Sequence, residues 1–195
     1  MFVRSTGTRP VWSRSSAFLP AACLAWCLIA LRPATPVHAA AGQAVSEPAA
    51  TAAFLLNFAR FTEWPDDPAK RDDALLICAA DRDVVDALEA TVNGRAAGTR
   101  IVATRRLRVD SEPAGCHVLY VGGLDRERVT RLLQAVTPAP VLTVGDQAGF
   151  AAAGGGIELF IEDGRMGFLI NRRTAERTGL RFSSRLLALA RLLKD

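Results

Sequence analysis

Histidine and cysteine, the side chains that most often serve as general bases, nucleophiles and metal ligands, are scarce in this chain. It has two histidines and four cysteines in 195 residues. His38 lies in an N-terminal segment that we expect to be removed, so His117 is the remaining imidazole, beside Cys116 in an apolar run. A Ser-His-Asp arrangement would have to be built on that one residue, and no G-x-S-x-G motif is present. The pattern favours a packed or edge-exposed histidine and predicts a protein that is not an enzyme.

A metal site and a phosphate site are also poorly supported. Cys78, Cys116 and His117 form no C-x-x-C or H-x-x-x-H pair, and neighbouring residues of a strand point to opposite faces. Gly154, Gly155 and Gly156 lead into a predicted strand rather than a helix N-terminus, so they lack the aimed N–H groups of a phosphate-binding loop. We therefore predict no catalytic residue, no metal and no cofactor.

Two clusters of arginine, tryptophan and polar side chains have the composition of a binding surface. Arginine and tryptophan are typical anchors of protein interfaces, and arginine also recognises anions. For the arginines, a solvated helix face is an equally good interpretation. The candidate partner- or ligand-binding residues are Arg60, Phe61, Glu63 and Trp64 in the first cluster, and Asn171, Arg172 and Arg185, with Arg173 and Arg181 nearby, in the second.

The first cluster follows a short helix with an aromatic stripe. Phe54, Phe58 and Phe61 are spaced i, i+4 and i+7, which puts them on one helical face that we expect to pack on a sheet. Trp64 precedes Pro65, and a residue before proline is pushed out of the helical region, so the helix ends there.

The middle of the chain alternates between predicted strands and helices. Apolar runs at 74–80, 116–121 and 140–144, and a looser alternation at 100–109, are typical of strands. One intervening helix is capped by Asp81 and ends at Asn93-Gly94, and another follows Gly122-Gly123. This order predicts a mostly parallel sheet with helices on both faces.

The last third of the chain has a different pattern of predicted elements. Runs at 156–161 and 165–170 are joined by Glu162-Asp163-Gly164, which predicts an antiparallel hairpin at the edge of the sheet. A short helix near Thr174 ends at Gly179, and Ser183 or Ser184 begins a final leucine-rich helix that should be well buried or meet a partner. The fold class is α/β: a single three-layer domain with a mixed, mostly parallel sheet and a C-terminal antiparallel hairpin edge.

The first 39 residues are predicted to be an export signal. Arg4, Arg9 and Arg14 precede an apolar run at 17–31, and small residues follow around Ala39, where we place the cleavage. The run is short for a membrane span, which needs about 20 residues, although an uncleaved anchor is the alternative. We therefore expect a periplasmic protein without a membrane span after cleavage, a flexible lead-in at 40–49 and one domain at 50–195.

The net charge of +4 comes from the predicted export signal, which we call the leader. Arg4, Arg9, Arg14 and Arg32 account for all of it, because every acidic residue lies after them. The exported chain is therefore near neutral, and a nucleic-acid partner loses its main support. Cys23 and Cys27 also leave with the leader.

The two cysteines that stay are Cys78 and Cys116. An even number of cysteines in an exported chain favours a disulfide, and two separate buried thiols are the alternative.

Several blocks of the sequence resemble the YfiR family (YfiR/HmsC-like) of small periplasmic proteins. They are the Phe54–Pro65 segment, Leu76-Ile77-Cys78, C-H-V-L-Y-V from Cys116, P-V-L-T-V-G-D from Pro140, and the run from Gly155 to Ala190. Together they cover nearly the whole exported chain in the family's order.

The resemblance implies a repressor of a membrane-bound diguanylate cyclase. Such a protein binds the periplasmic domain of an inner-membrane diguanylate cyclase or sensor kinase, lowers cyclic-di-GMP synthesis and restrains biofilm formation; a homodimer is a further option. Cys78 and Cys116 match cysteine positions of the family, whose disulfides respond to redox state. A second cysteine pair of some members is absent here. The alternative is a small-ligand module that binds a nucleotide or amino acid at the carboxyl ends of the strands.

Overall fold

Capping side chains decide where the helices begin. The computed structural model describes residues 46–65, 74–108 and 111–193, which belong to one compact unit. Its helices are α1 (Glu47–Phe61), α2 (Arg82–Thr91), α3 (Arg126–Val136), α4 (Arg172–Arg177) and α5 (Ser184–Leu189). In each, the residue before the helix accepts a hydrogen bond from the N–H three positions on; these caps are Ser46, Asp81, Asp125, Asn171 and Ser183.

The start of α1 differs from expectation. The helix begins at Glu47, inside the segment that we interpreted as a flexible lead-in. Ser46 caps it, and Pro48 lies in the first turn, where a missing N–H costs nothing. The expected signal peptide at 1–39 lies outside the described residues. Within those residues, no helix is long and apolar enough to cross a membrane.

In the described part of the chain, the main sheet has eight strands in the order β10-β8-β7-β6-β5-β2-β4-β3. From β4 through β2, β5 and β6 to β7 the pairings are parallel, while β7 and β8 form the predicted antiparallel hairpin. A separate two-stranded sheet joins β1 to β9. The strands are β1 (Thr62–Glu63), β2 (Leu75–Ala79), β3 (Ala96–Ala97), β4 (Arg100–Arg106), β5 (Val118–Tyr120), β6 (Leu142–Gly145), β7 (Ile157–Glu162), β8 (Arg165–Ile170), β9 (Arg181–Phe182) and β10 (Arg191–Leu192).

Apolar residues fill both faces of the sheet, which confirms the predicted α/β fold with helices on both sides. One cluster joins the buried faces of α1 and α2 to the strands, and a second joins α3 to them. The aromatic stripe of α1 packs on the hairpin: the Phe58 and Phe168 ring centroids are 5.1 Å apart, and those of Phe54 and Phe168 5.9 Å. The predicted packing of this helix on the sheet is therefore confirmed.

The leucine-rich C-terminal segment, which we expected to be well buried or to meet a partner, forms a shorter helix than predicted. α5 ends at Leu189, which is 77% exposed, and the chain then pairs with β8 as the short parallel strand β10. The N–H of Leu193 donates to the carbonyl of Ile170 at 3.0 Å. A leucine run cannot by itself distinguish a helix from a strand, and here the open backbone groups of β8 favour the strand.

The two cysteines form a disulfide between neighbouring central strands. Cys78 lies in β2 and Cys116 two residues before β5, with their Cα atoms 5.9 Å apart, and both are buried against the α3 side of the sheet. Arg105 covers the bridge, donating to the Cys116 sulfur at 3.0 Å and to the Ala114 carbonyl at 2.6 Å. The bridge ties together two strands that the backbone already pairs.

Breaking this bridge is expected to lower stability substantially. The cysteines are 38 residues apart, and closing a loop of that size removes about 4 kcal/mol of unfolded-state entropy. Urea unfolding of the oxidised protein and of the Cys78→Ala/Cys116→Ala variant should differ by up to about that amount. In the unfolded exported protein, thiol titration should find none before reduction and two afterwards; thiols that are free from the start would contradict the bridge.

Candidate functional site

A wide groove of about 1460 Å³ runs along the amino-terminal edge of the parallel strands. Its floor comes from the starts of β2 and β4 and from the residues just before β5 and β6, represented by Leu75, Arg100, His117 and Val141. The end of α1 and the segment after it form one rim. The first candidate cluster of the sequence therefore lies at an edge where four strands begin.

The segment after α1 is held in place by the C-terminal part of the chain. Thr62 pairs with Phe182 and Glu63 with Arg181, and the N–H of Ser183 donates to the Phe61 carbonyl at 2.9 Å. These contacts join the T-E-W-P motif to the G-L-R-F-S motif, which are far apart in sequence.

Gly179 allows the two motifs to approach. Its φ of +73° is a conformation that glycine adopts readily, and a Cβ there would come within 3.0 Å of the Pro65 Cγ. The left-handed turn and the close contact therefore both require a residue without a side chain.

Trp64 lies between the rim and the floor of the groove. Its ring meets the imidazole of His117 edge to face, with centroids 6.1 Å apart. The residue is half-buried, and its indole Nε1 is buried without a hydrogen-bond partner among the described residues. The tryptophan thus anchors the T-E-W-P segment on the sheet while part of its surface faces the groove.

His117 is half-buried in the floor of the groove, at the edge of the sheet, which agrees with the predicted packed or edge-exposed position. The N–H of Leu76 donates to His117 Nδ1 at 3.1 Å, and the guanidinium of Arg100 lies 2.8 Å from His117 Nε2. Arg100 also donates to the Ala74 carbonyl at 3.2 Å. These contacts connect the starts of β4, β2 and β5, so the imidazole links strands.

Three of the four residues in the first candidate cluster line the groove. They are Arg60, Glu63 and Trp64, and Arg60 also donates to the Ala96 carbonyl at 2.9 Å. Phe61 instead packs against the apolar core. The fold adds Arg181, which the sequence placed only near the second cluster.

The second candidate cluster does not join the groove. Asn171 is buried, where it caps α4 and donates to the Ala151 carbonyl at 2.8 Å, so its side chain is used within the fold. Arg172 is exposed on α4, 3.8 Å from Glu176, and Arg185 is exposed in the first turn of α5. Neither arginine lines the groove. A binding role for these two exposed arginines stays a prediction.

Arg100 and His117 were missed as groove residues, although a signal for them exists. Each lies at the beginning of a predicted strand. Because the amino ends of parallel strands meet at one edge of a sheet, polar residues at those positions are expected to come together. Arg181 had no such signal, since the two-residue pairing with Glu63 is too short to predict.

The opposite, carboxyl edge of the sheet is occupied by Tyr120. Its hydroxyl donates to Asp146 Oδ2 at 3.0 Å, and the side chain lies so close to Gly122 that a Cβ there would be 2.0 Å from the hydroxyl oxygen. Burial raises the pKa of Tyr120, and the negative charges of Asp146 and Asp81 raise it further. This is the edge at which ligands usually bind in α/β sheets.

The raised pKa of Tyr120 predicts a loss of stability at alkaline pH. The phenol ionises near pH 10.0 in an unfolded chain but stays protonated above that in the folded protein. Its contribution is therefore fully present below about pH 10 and is lost as pH rises towards the folded pKa. Because this is the one tyrosine of the chain, tyrosinate absorbance reports on it alone.

The folded protein should show little tyrosinate near pH 10, and the urea-unfolded protein should show the ordinary titration. In Tyr120→Phe, this part of the alkaline stability loss should vanish, and the lost hydrogen bond should cost about 1 kcal/mol at neutral pH. Ordinary titration of the folded protein would contradict the geometry.

The chain matches a known protein family. A model of the YfiR/HmsC-like family matches residues 48–191, from the first turn of α1 to β10. The match includes both motifs that meet at the groove and both cysteines of the disulfide. The chain therefore belongs to the YfiR/HmsC-like family.

Proposed function

We propose that the protein is a non-enzymatic periplasmic regulator that binds the extracytoplasmic domain of an inner-membrane diguanylate cyclase. Binding would hold the cyclase in a less active state, lower cyclic-di-GMP and restrain biofilm formation. The observation that carries the proposal is the family match over residues 48–191. The groove at the amino edge supplies a surface on which such an interaction can be tested.

The rim of this groove has the chemistry of a protein interface. Arg60, Glu63 and Arg181 are exposed and carry charges of both signs, and Trp64 lies half-buried among them. An aromatic anchor surrounded by charged residues is typical of the centre and rim of protein–protein contacts. The rim is also held by backbone pairing to β9, so little order has to be gained on binding.

A periplasmic location is supported by the leader and by the cysteines. Residues 1–39 have the pattern of a cleaved signal, and Cys78 and Cys116 form a buried disulfide. Disulfides of this kind persist in oxidising compartments. The non-enzymatic role agrees with His117, the one histidine after the leader, which is engaged by Leu76 and Arg100.

Direct binding to the cyclase domain tests the proposal. The oxidised protein and the purified extracytoplasmic domain of a cyclase encoded nearby should form a saturable complex in calorimetry. Trp64→Ala should weaken it about tenfold to a hundredfold, as expected for a central aromatic anchor. Arg181→Glu should weaken it as well, because it reverses a charge on the rim.

Matched controls separate binding from folding. Arg172→Ala changes an exposed arginine outside the groove and should bind like the wild type. Since Trp64 is half-buried, the melting temperature of Trp64→Ala must show that the variant is folded at the assay temperature. Wild-type affinity in both groove variants would remove the groove from the interface. Unchanged cyclic-di-GMP in cells that lack the protein would overturn the regulatory role.

A further inference from the structure

A second cavity of about 510 Å³ lies between α3 and the connection that leads from β6 to β7. We call it the α3 cavity. Among the described residues, it shares no lining residue with the groove at the amino edge. Its volume falls in the range of sites for small organic molecules. Its described lining consists of Arg126, Val129, Thr130, Leu133, Gln134, Thr137, Gln147, Ala148, Gly149, Phe150, Ala153, Gly154 and Arg177.

The charge of the lining is positive. Arg126 comes from the first turn of α3 and Arg177 from the end of α4, and no Asp or Glu lines the α3 cavity among the described residues. Within that part of the chain, no carboxylate pairs with Arg126. Arg177 donates to the Thr174 hydroxyl at 3.0 Å. Guanidinium groups in such a setting favour an anion.

Other lining residues of the α3 cavity can contact the apolar part of a ligand. Val129, Leu133 and Phe150 belong to or pack on the α3-side core, and Phe150 is 3% exposed. The Phe150 ring lies against two glycines: an added Cβ would come within 2.9 Å of it at Gly145 and within 2.1 Å at Gly155. The ring is therefore closely packed against the backbone, and together with the partly buried Leu133 it gives the cavity an apolar wall for an aromatic or aliphatic body.

The connection from β6 to β7, which forms one wall of the α3 cavity, is held in place by hydrogen bonds to other parts of the chain. Glu158 accepts hydrogen bonds from the N–H groups of Gly149, at 3.1 Å, and Ala151, at 3.0 Å. Asn171 donates to the Ala151 carbonyl at 2.8 Å, and the Thr174 hydroxyl to the Gly154 carbonyl at 3.1 Å. The carboxylate of Glu158 is thus engaged by the backbone, and the wall of the cavity is ordered before any ligand binds.

We propose that the α3 cavity binds a small organic anion, a carboxylate on a flat apolar body. The carboxylate binds at Arg126 and Arg177, and the apolar body packs against Leu133 and Phe150. This inference does not depend on the regulatory role, because it concerns a different face of the protein and requires no partner.

Glycine amides report which of the two cavities a ligand enters. Gly149 and Gly154 line the α3 cavity, whereas Gly98 and Gly115 line the groove at the amino edge. Titrating the ¹⁵N-labelled, oxidised protein with 2-naphthoate should shift the Gly149 and Gly154 amide resonances to saturation and leave those of Gly98 and Gly115 in place. The neutral 2-naphthamide, of nearly the same shape, should bind more weakly by about tenfold or more.

Two variants test the arginines. Arg126→Gln and Arg177→Gln should each weaken 2-naphthoate binding about tenfold, since each removes a charge-assisted contact. Arg131→Gln is the control, because Arg131 is exposed on the same helix, pairs with Glu127 and does not line the cavity. All three changes are at exposed residues, so the spectra should show an intact fold.

Added salt should weaken binding to the wild type. The proposal is overturned if 2-naphthamide binds as tightly as 2-naphthoate, or if Arg126→Gln and Arg177→Gln both keep the wild-type affinity for 2-naphthoate. Shifts confined to Gly98 and Gly115, or no saturable shift at millimolar probe, would overturn it as well. None of these results would bear on the cyclase-binding experiment.

Discussion

The groove at the amino edge depends on one short antiparallel pairing, that of Thr62-Glu63 with Arg181-Phe182. α1 packs on the sheet through its phenylalanines, but nothing in that packing determines where the chain goes after Phe61. The pairing with β9 directs it along the rim, and Pro65 then rests on Gly179. Without these contacts Glu63 and Trp64 would have no defined position relative to the sheet, and Arg181 would not reach the same surface.

The floor of the groove is stiff because three kinds of interaction join the same strand ends. Backbone pairing aligns β2 with β4 and β5, the Cys78–Cys116 bridge links β2 to the residues before β5, and Arg100 and His117 connect the first residues of all three strands. Trp64 packs on this assembly through His117. A partner that contacts the rim therefore meets a surface whose shape is set by covalent, hydrogen-bonded and aromatic contacts together.

The two edges of the sheet have different roles in this chain. In most α/β sheets the carboxyl ends of the strands are open to a ligand. Here Tyr120 lies against Gly122 and donates to Asp146, so that edge is occupied by the protein's own side chain. The wide groove lies at the amino edge, and a smaller cavity runs along α3. The alternative of a ligand at the carboxyl ends follows this general rule and stays a prediction.

Local chemistry in the sequence was sufficient for most of the fold. The spacing of Phe54 and Phe58, the caps at Asp81 and Ser183, the Asp163-Gly164 turn and the apolar runs each act over a few residues, so they specify helices, strands and a hairpin without reference to the rest of the chain. The order of these elements then favours a mostly parallel sheet.

Only the tertiary structure decided which polar residues share a surface. Asn171 and Arg185 are both polar residues of the second candidate cluster, yet Asn171 is buried as a helix cap and Arg185 is exposed. After α5, the chain at Arg191-Leu192 pairs with β8 as a short strand instead of continuing the helix. Glu63 and Arg181 met through a two-residue pairing. Each of these outcomes depends on backbone groups and packing partners from distant parts of the chain, and a local pattern carries no information about them.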